Sequence, residues 1–343
     1  MEVGSASVDQ PADLRDESPT ACGQGRIGRF PVLNLPMTSV IDTLAQHLLL
    51  ALDPAPAETR RLFHGRGRCW PGLEQITVDW LQGVLLVSLF REPPAGQLPE
   101  LEQMLAALSK APCWSGQAIL LQHRYLPDSP GQWLLGVPSE QWLIDEDGLR
   151  YQLDLGLKQN TGLFLDMRYG RRWGREQAAG KRVLNLFAYT CGFSVAAIAG
   201  GAEQVVNLDM ARSALSRGRD NHRLNGHDVG RVSFLGHELF KSWGKVRKSG
   251  PYDLIIIDPP TFQKGSFVLT QDYRKILRRL PELLNEGGTV LACVNDPAIG
   301  PQFLIEGMAE EAPALKFVER LANPPEFPDN DPAGGLKALV FRQ

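Results

Sequence analysis

The sequence predicts an α/β chain: an open, mainly parallel sheet closed by an antiparallel hairpin and preceded by a small α+β unit. Three observations carry that prediction. Apolar, β-branched runs recur between residues 182 and 295 with helix-like stretches between them, the alternation of a doubly wound sheet. Acids close three of these runs, at Asp209, His237-Glu238 and Asp258, and open α/β sheets bind their ligands at the carboxyl ends of strands. Two strand-like runs, 315–320 and 336–342, flank a Pro- and Asp-rich loop near the end, which suits a closing hairpin.

The elements follow in chain order. Residues 1–28 are rich in Ser, Asp, Gly and Pro and read as a flexible tail. Over 37–52, Val40, Leu44, Leu48 and Ala51 recur at helical spacing, and the Pro54 and Pro56 region ends the helix. Strands are predicted at 76–80, 84–90, 118–124 and 133–137 with a helix at 98–109, which makes residues 29–156 a helix plus a small α+β domain. Residues 157–343 form the larger domain. Its first strand, Arg182-Val-Leu-Asn-Leu-Phe187, leads through the turn Ala188-Tyr189-Thr190-Cys191-Gly192-Phe193 into a helix at 194–200. Further strands follow at 204–208, 232–236, 252–257 and 288–295. Over 270–285, Tyr273, Ile276, Leu277, Leu280 and Leu284 share a helical face, with Pro281 expected to bend or interrupt it.

Composition bounds the function. A chain of 343 residues with 43% hydrophobic content has room for about two cored domains. No apolar run reaches the roughly 18 residues that span a bilayer, and the start lacks a basic segment followed by an apolar core, so a cytoplasmic protein is expected. The five cysteines, Cys22, Cys69, Cys113, Cys191 and Cys293, are odd in number and lack metal-ligand spacing, which indicates neither zinc nor disulfides. A net charge of −3 is no global nucleic-acid signature. Local basic clusters stand at Arg168, Arg171 and Arg172, at Arg217, Arg219 and Arg223, at Lys241, Lys245, Arg247 and Lys248, and at Arg274, Lys275, Arg278 and Arg279. Bordering one crevice, they would make a phosphate-binding rim.

The candidate site lies at the strand ends. Asp258-Pro259-Pro260-Thr261-Phe262 follows the apolar run 252–257, and its prolines fix the backbone so that an acid and an aromatic can face the crevice. The loop at Gly192 lacks the full G-x-G-x-x-G fingerprint, so a dinucleotide is disfavoured. Asp209, about 20 residues past that loop, can accept hydrogen bonds from ribose hydroxyls. A nucleoside-bearing cofactor without a pyrophosphate fits this set.

With these motifs the chain resembles the Rossmann-like class I S-adenosylmethionine-dependent methyltransferases. It is similar, more narrowly, to the bacterial large-subunit (23S) ribosomal RNA methyltransferases that make 5-methylcytosine or N7-methylguanine. The marks are Thr161-Gly-Leu-Phe-Leu-Asp-Met-Arg168, Leu184-Asn-Leu-Phe-Ala-Tyr-Thr190, Asp258-Pro-Pro-Thr-Phe262, and Pro328-Asp-Asn-Asp-Pro332 with Lys337. The resemblance implies S-adenosylmethionine as cofactor. It places Phe187, Tyr189, Thr190 and Gly192 at the methionine and ribose end, Asp209 at the ribose and Glu238 by the adenine amine. It also implies that the strand-strand-helix-strand-strand module helps present RNA. Trp70, Trp80, Trp114 and Trp133 are candidates to stack bases there but read as core.

Chemistry divides the two branches. Carbon-5 of cytosine needs a thiolate added to the neighbouring ring carbon, whereas guanine N7 has a free lone pair that needs only alignment. The resembling cytosine enzymes carry that cysteine just past the fifth strand, where this chain aligns Asn295. The pattern is therefore closer to the guanine-N7 branch. Expected roles are stacking of the base by Phe262, orientation of the methionine amine or a base edge by Asp258, and a hydrogen bond from Asn295 to the base. Arg168 and Lys337 are candidates for phosphate or the cofactor carboxylate. The alternatives are a 5-methylcytosine enzyme using Cys293, a protein or small-molecule N-methyltransferase, and an inactive RNA-binding factor.

Overall fold

The computed structural model describes residues 39–343 apart from positions 140 and 157. The predicted tail over 1–28 and the boundary at residue 29 lie outside the described residues. Helix α1 (Val40–Ala51) starts at a capping box: Ser39 Oγ accepts from the N–H groups of Ile41 and Asp42, and Asp42 returns an acceptor to Ser39 N. Its buried stripe is Ile41, Leu44 and Leu48 rather than one through Val40, which is exposed.

The α+β module is a five-stranded sheet in the order β1-β2-β3-β4-β5. The strands are β1 (Arg60–His64), β2 (Ile76–Trp80), β3 (Val84–Leu89), β4 (Ala118–His123) and β5 (Gly131–Leu135). Only the β3–β4 pair is parallel, and α2 (Gln97–Leu108) is the crossover between them. The core joins α1 and α2 to one sheet face through Leu44, Leu48, Leu101, Leu105, Val87 and Ile119. Trp80 lies in this core with Trp70 and Trp114 against it, while Trp133 stacks on Trp142, so these rings serve packing.

In this part of the chain, one strand and one hairpin have no counterpart among the elements expected from the sequence. Strand β1, Arg-Arg-Leu-Phe-His, is too charged and short to show a period of two. The hairpin β6 (Trp142–Glu146) and β7 (Leu149–Leu153) turns at Asp147-Gly148, both with positive φ, 51° and 74°. An Asp-Gly pair between such runs is a type I′ hairpin signal.

The larger sheet has the order β10-β9-β8-β11-β14-β16-β15. Its parallel strands are β8 (Arg182–Leu186), β9 (Gln204–Asp209), β10 (Val232–Gly236), β11 (Tyr252–Ile257) and β14 (Leu284–Val294). Antiparallel β15 (Lys316–Arg320) and β16 (Lys337–Arg342) close it, as expected. Both faces are covered: Leu184, Leu186, Ile255 and Ile257 enter one apolar cluster, and Val183, Leu254 and Ile256 the other. This two-sided burial is why parallel strands read as unbroken apolar runs.

Helices α3 (Arg168–Gln177), α4 (Gly192–Ala199), α5 (Arg212–Leu224), α6 (Trp243–Ser249) and α9 (Gln302–Glu311) are the longer connections. The helix expected over 270–285 is interrupted into α7 (Leu269–Leu277) and α8 (Leu280–Leu283), with Pro281 in the first turn of α8, where a missing N–H does no harm. A two-residue ladder, β12 (Phe262–Gln263) with β13 (Phe267–Val268), follows the Asp-Pro-Pro segment.

Candidate active site

The carboxyl ends of β8, β9, β11 and β14 open on one cleft with a cavity of about 400 Å³. The loop after β8 shapes it. Phe187, Tyr189 and Cys191 have φ of 56°, 47° and 64°, left-handed values that non-glycine residues adopt mainly where function demands them. Asp209 holds this loop, its Oδ2 accepting from Tyr189 N and its Oδ1 from Ala211 N, both at 2.8 Å. Thr190 Oγ1 donates to the Gly162 carbonyl, so the segment before α3 is tied across the mouth. At Gly192 a Cβ would lie 3.1 Å from Leu163 and 3.3 Å from Arg171, which explains a glycine facing the cavity there.

Phe187, Tyr189, Thr190, Gly192, Asp209 and Asp258 all line this cleft. Glu238 lines an adjoining recess with Asp209, Phe187 and Phe240, and its carboxylate accepts from Phe240 N at 2.8 Å and pairs with Lys241. Burial, with the Asp166 charge nearby, pushes the Asp258 carboxyl up to about 7 against the pull of Arg171. Burial also raises Asp209, although two N–H donors oppose it. A cleft with acids at three strand ends, an apolar floor and no phosphate cradle fits S-adenosylmethionine, which offers hydroxyls, amines and a positive charge but no pyrophosphate.

A second cavity, of about 260 Å³, shares Asn160, Gly162, Leu163, Phe164, Asp166 and Asn295 with the first and runs on to the α+β module. Asn295 stands exposed at the junction, and its Nδ2 donates to Asp166 Oδ2 at 3.2 Å. Asp166 lies inside the motif at 161–168, and only the fold brings it to Asn295.

Several expected site residues are placed differently. Thr261 and Gln263 line the cleft but Phe262 does not. Neighbours on a strand face opposite ways, and Phe262 opens β12 with 64% of its surface exposed. Lys337 is fully buried and its ammonium donates to the Asp296 carbonyl at 2.6 Å, so it ties β16 to the end of β14 rather than meeting a phosphate. Arg168 is engaged by Glu58 at 2.6 Å and Asp147 at 2.7 Å. Arg171 is buried in a bidentate pair with Glu146. Carboxylates likewise pair Arg172, Arg217, Arg223, Arg247, Arg274, Arg278 and Arg279, so most of the expected basic rim is internally neutralised.

Neither cysteine near the site is exposed. Cys293 is fully buried against residues such as Leu254, Ile256 and Ala338, and burial plus the charges of Asp258 and Asp166 holds its thiol well above the ordinary range. Cys191 is buried against α5, where a Cβ at Gly218 would collide with its sulfur.

The sheet order and the acid-lined cleft define a class I methyltransferase fold. The chain belongs to the S-adenosylmethionine-dependent methyltransferase family, whose model matches residues 60–342. It is 37% identical over 158 residues to ribosomal RNA large subunit methyltransferase I of Aeromonas salmonicida, a match over 45% of this chain and 40% of that protein. The protein of that name from Vibrio cholerae is 29% identical over 269 residues, 75% of this chain and 68% of that one. The solved structure of SMU.776 complexed with SAH superposes with a TM-score of 0.78 at 26% identity, covering 91% of this chain and 83% of that one. The first of these matches thus spans less than half of the relative's length. The cofactor is S-adenosylmethionine, and the protein is an S-adenosylmethionine-dependent methyltransferase. No helix among the described residues is long and apolar enough to cross a membrane.

Proposed function

We propose that the protein methylates a base of RNA, most directly large-subunit ribosomal RNA, at a ring nitrogen, with guanine N7 the target atom. The relatives' names support the RNA class. The observation that carries the atom is Asn295: a carboxamide, not a thiol, stands where the two cavities meet, and the nearby Cys293 is buried and protonated. With N7 kept free to attack, guanine still offers O6 as an acceptor and its amino group as a donor. The Asn295 amide and the Asp166 carboxylate, hydrogen-bonded together, present the complementary donor and acceptor.

In this reading Asp209 holds the ribose, Glu238 meets the adenine amine, and Asp258 holds the amino-acid end of the cofactor. S-adenosylmethionine supplies an electrophilic methyl group. The protein's task is then alignment: a nitrogen lone pair needs no general base and no covalent adduct. The base would have to leave any duplex to enter, so an unpaired segment is the easier substrate.

The test is transfer of label from radiolabelled S-adenosylmethionine into deproteinised ribosomal RNA from cells lacking the gene, followed by nucleoside chromatography. Label in N7-methylguanosine, kept in Cys293→Ala and lowered in Asn295→Ala, is expected. Label in 5-methylcytidine that disappears with Cys293→Ala would overturn the nitrogen assignment.

A further inference from the structure

The second cavity has a wall that the methyl-transfer chemistry does not use. Arg66, in the turn after β1, and Arg124, just past β4, both lie over the ring of Phe90, their guanidinium carbons 4.1 and 4.8 Å from its centroid. All three residues line the cavity. The other arginine there, Arg61, is engaged by Asp79 and His64, and neighbouring Arg68 pairs with Asp329. Arg66 and Arg124 have no carboxylate partner among the described residues, in contrast to the paired arginines of α3, α5 and α7.

Two further facts point to an anion. Arg124 donates to the Gln159 carbonyl and to Asn160 Oδ1, yet its buried Nε has no acceptor among the described residues. An unsatisfied buried donor on a charged group is costly and calls for a partner. The charges at this wall also oppose one another: burial with the charges of Arg66 and Arg61 weakens the hold of Arg124 on its proton, and burial with the charge of Arg61 does the same at Arg66. Phe90 keeps them close through its ring face. An oxyanion between them would relieve the repulsion and take planar, charge-assisted hydrogen bonds.

We propose that Arg66, Phe90 and Arg124 form an RNA-phosphate site on the α+β module that holds the nucleotide next to the target base. The site rests on the RNA reading above and adds to it where the strand is gripped. A base placed against Asn295 and Asp166 in the shared wall leaves its neighbour facing this cavity. Arg124 also touches Asn160, whose carbonyl accepts from Tyr189 Oη at 3.4 Å, so the grip sits one residue from the cofactor loop.

The experiment measures binding of a fluorescein-labelled single-stranded fragment of 23S ribosomal RNA by anisotropy across a series of KCl concentrations. The full chain is used with S-adenosylhomocysteine present. Arg66→Gln is the main variant, because Arg66 makes no ion pair among the described residues and its loss strands no carboxylate, and Arg124→Gln and the double variant follow. Arg278→Gln, exposed and paired with Glu311, is the control. Each lost phosphate contact should lower the slope of log K against log salt by about 0.7. Arg66→Gln should weaken binding several-fold at 0.1 M salt, and the double variant more than tenfold, with S-adenosylhomocysteine affinity and melting temperature kept in Arg66→Gln. Wild-type binding with the same affinity and slope in Arg66→Gln and the double variant would overturn the site while leaving the RNA reading intact. A wild-type protein with no salt-sensitive RNA binding would overturn both.

Discussion

The raised Asp258 carboxyl makes cofactor affinity a function of pH in a way that tests its place at the amino-acid end of S-adenosylmethionine. Its midpoint lies at about 7 because the group is buried beside Asp166. If the cofactor's ammonium sits against it, the ionised form binds and the protonated form must first release a proton, so affinity is low in acid and rises as pH approaches and passes the midpoint. With that midpoint, about 3% of the carboxyl is ionised at pH 5.5 and about half at pH 7, so the association constant should rise about 15-fold over this interval. The ligand's own amino group, with a pKa near 8, stays mostly protonated throughout.

Titration calorimetry with S-adenosylhomocysteine over that range, in two buffers of different ionisation enthalpy, reads both the affinity and the released proton. Asp258→Asn should flatten the profile. Asp166→Asn removes the charge that helps retain the Asp258 proton, so the rise should move to lower pH. A profile equally flat in wild type and Asp258→Asn would refute the placement and leave Asp258 to a base edge or a purely structural role.

Other substitutions separate the remaining roles. Asp209→Ala removes the acceptor of two backbone N–H groups, charged hydrogen bonds worth roughly 1.5–3 kcal/mol each, and should weaken S-adenosylhomocysteine binding at least tenfold by calorimetry. Arg171→Ala leaves Glu146 buried without its partner and should lower unfolding free energy by about 3–5 kcal/mol in urea, with little change if the charge finds water. Phe262→Ala should leave folding within about 0.5 kcal/mol, because the ring is exposed. If that ring stacks on the target base, turnover on RNA should fall by the roughly 1–3 kcal/mol of one stack, with cofactor affinity kept. Unchanged turnover would assign it no part in substrate binding.

How far the sequence is legible depends on which forces leave a local trace. The strands under the cleft are legible because each is buried on both faces, and the acids at Asp209 and Asp258 stand out where those apolar runs stop. The turn at 147–148 has an equally local signal, the Asp-Gly pair that takes its two positive φ positions. The direction of Phe262 is not legible. It depends on a two-residue ladder with Val268 that sets which neighbour faces the cleft, and a shift of one position would reverse it. The pairing of Arg66 with Arg124 leaves no trace: they stand far apart in sequence, and only the parallel pairing of β3 with β4, beside β1 and β2, brings both to Phe90.

Charge shows why composition misleads here. A net charge of −3 suggests no affinity for nucleic acid, yet the total averages over ion pairs that cancel locally. What remains is sorted about the shared wall of Asn160, Asp166 and Asn295. On one side lie Asp209 and Asp258, suited to a cofactor that carries positive charge; on the other lie Arg66 and Arg124, suited to a polyanion. The basic clusters that were conspicuous in the sequence are mostly held by nearby carboxylates, often one turn away or across a helix pair. At the shared wall it is Arg66 and Arg124, met by no carboxylate among the described residues, that are left for a ligand.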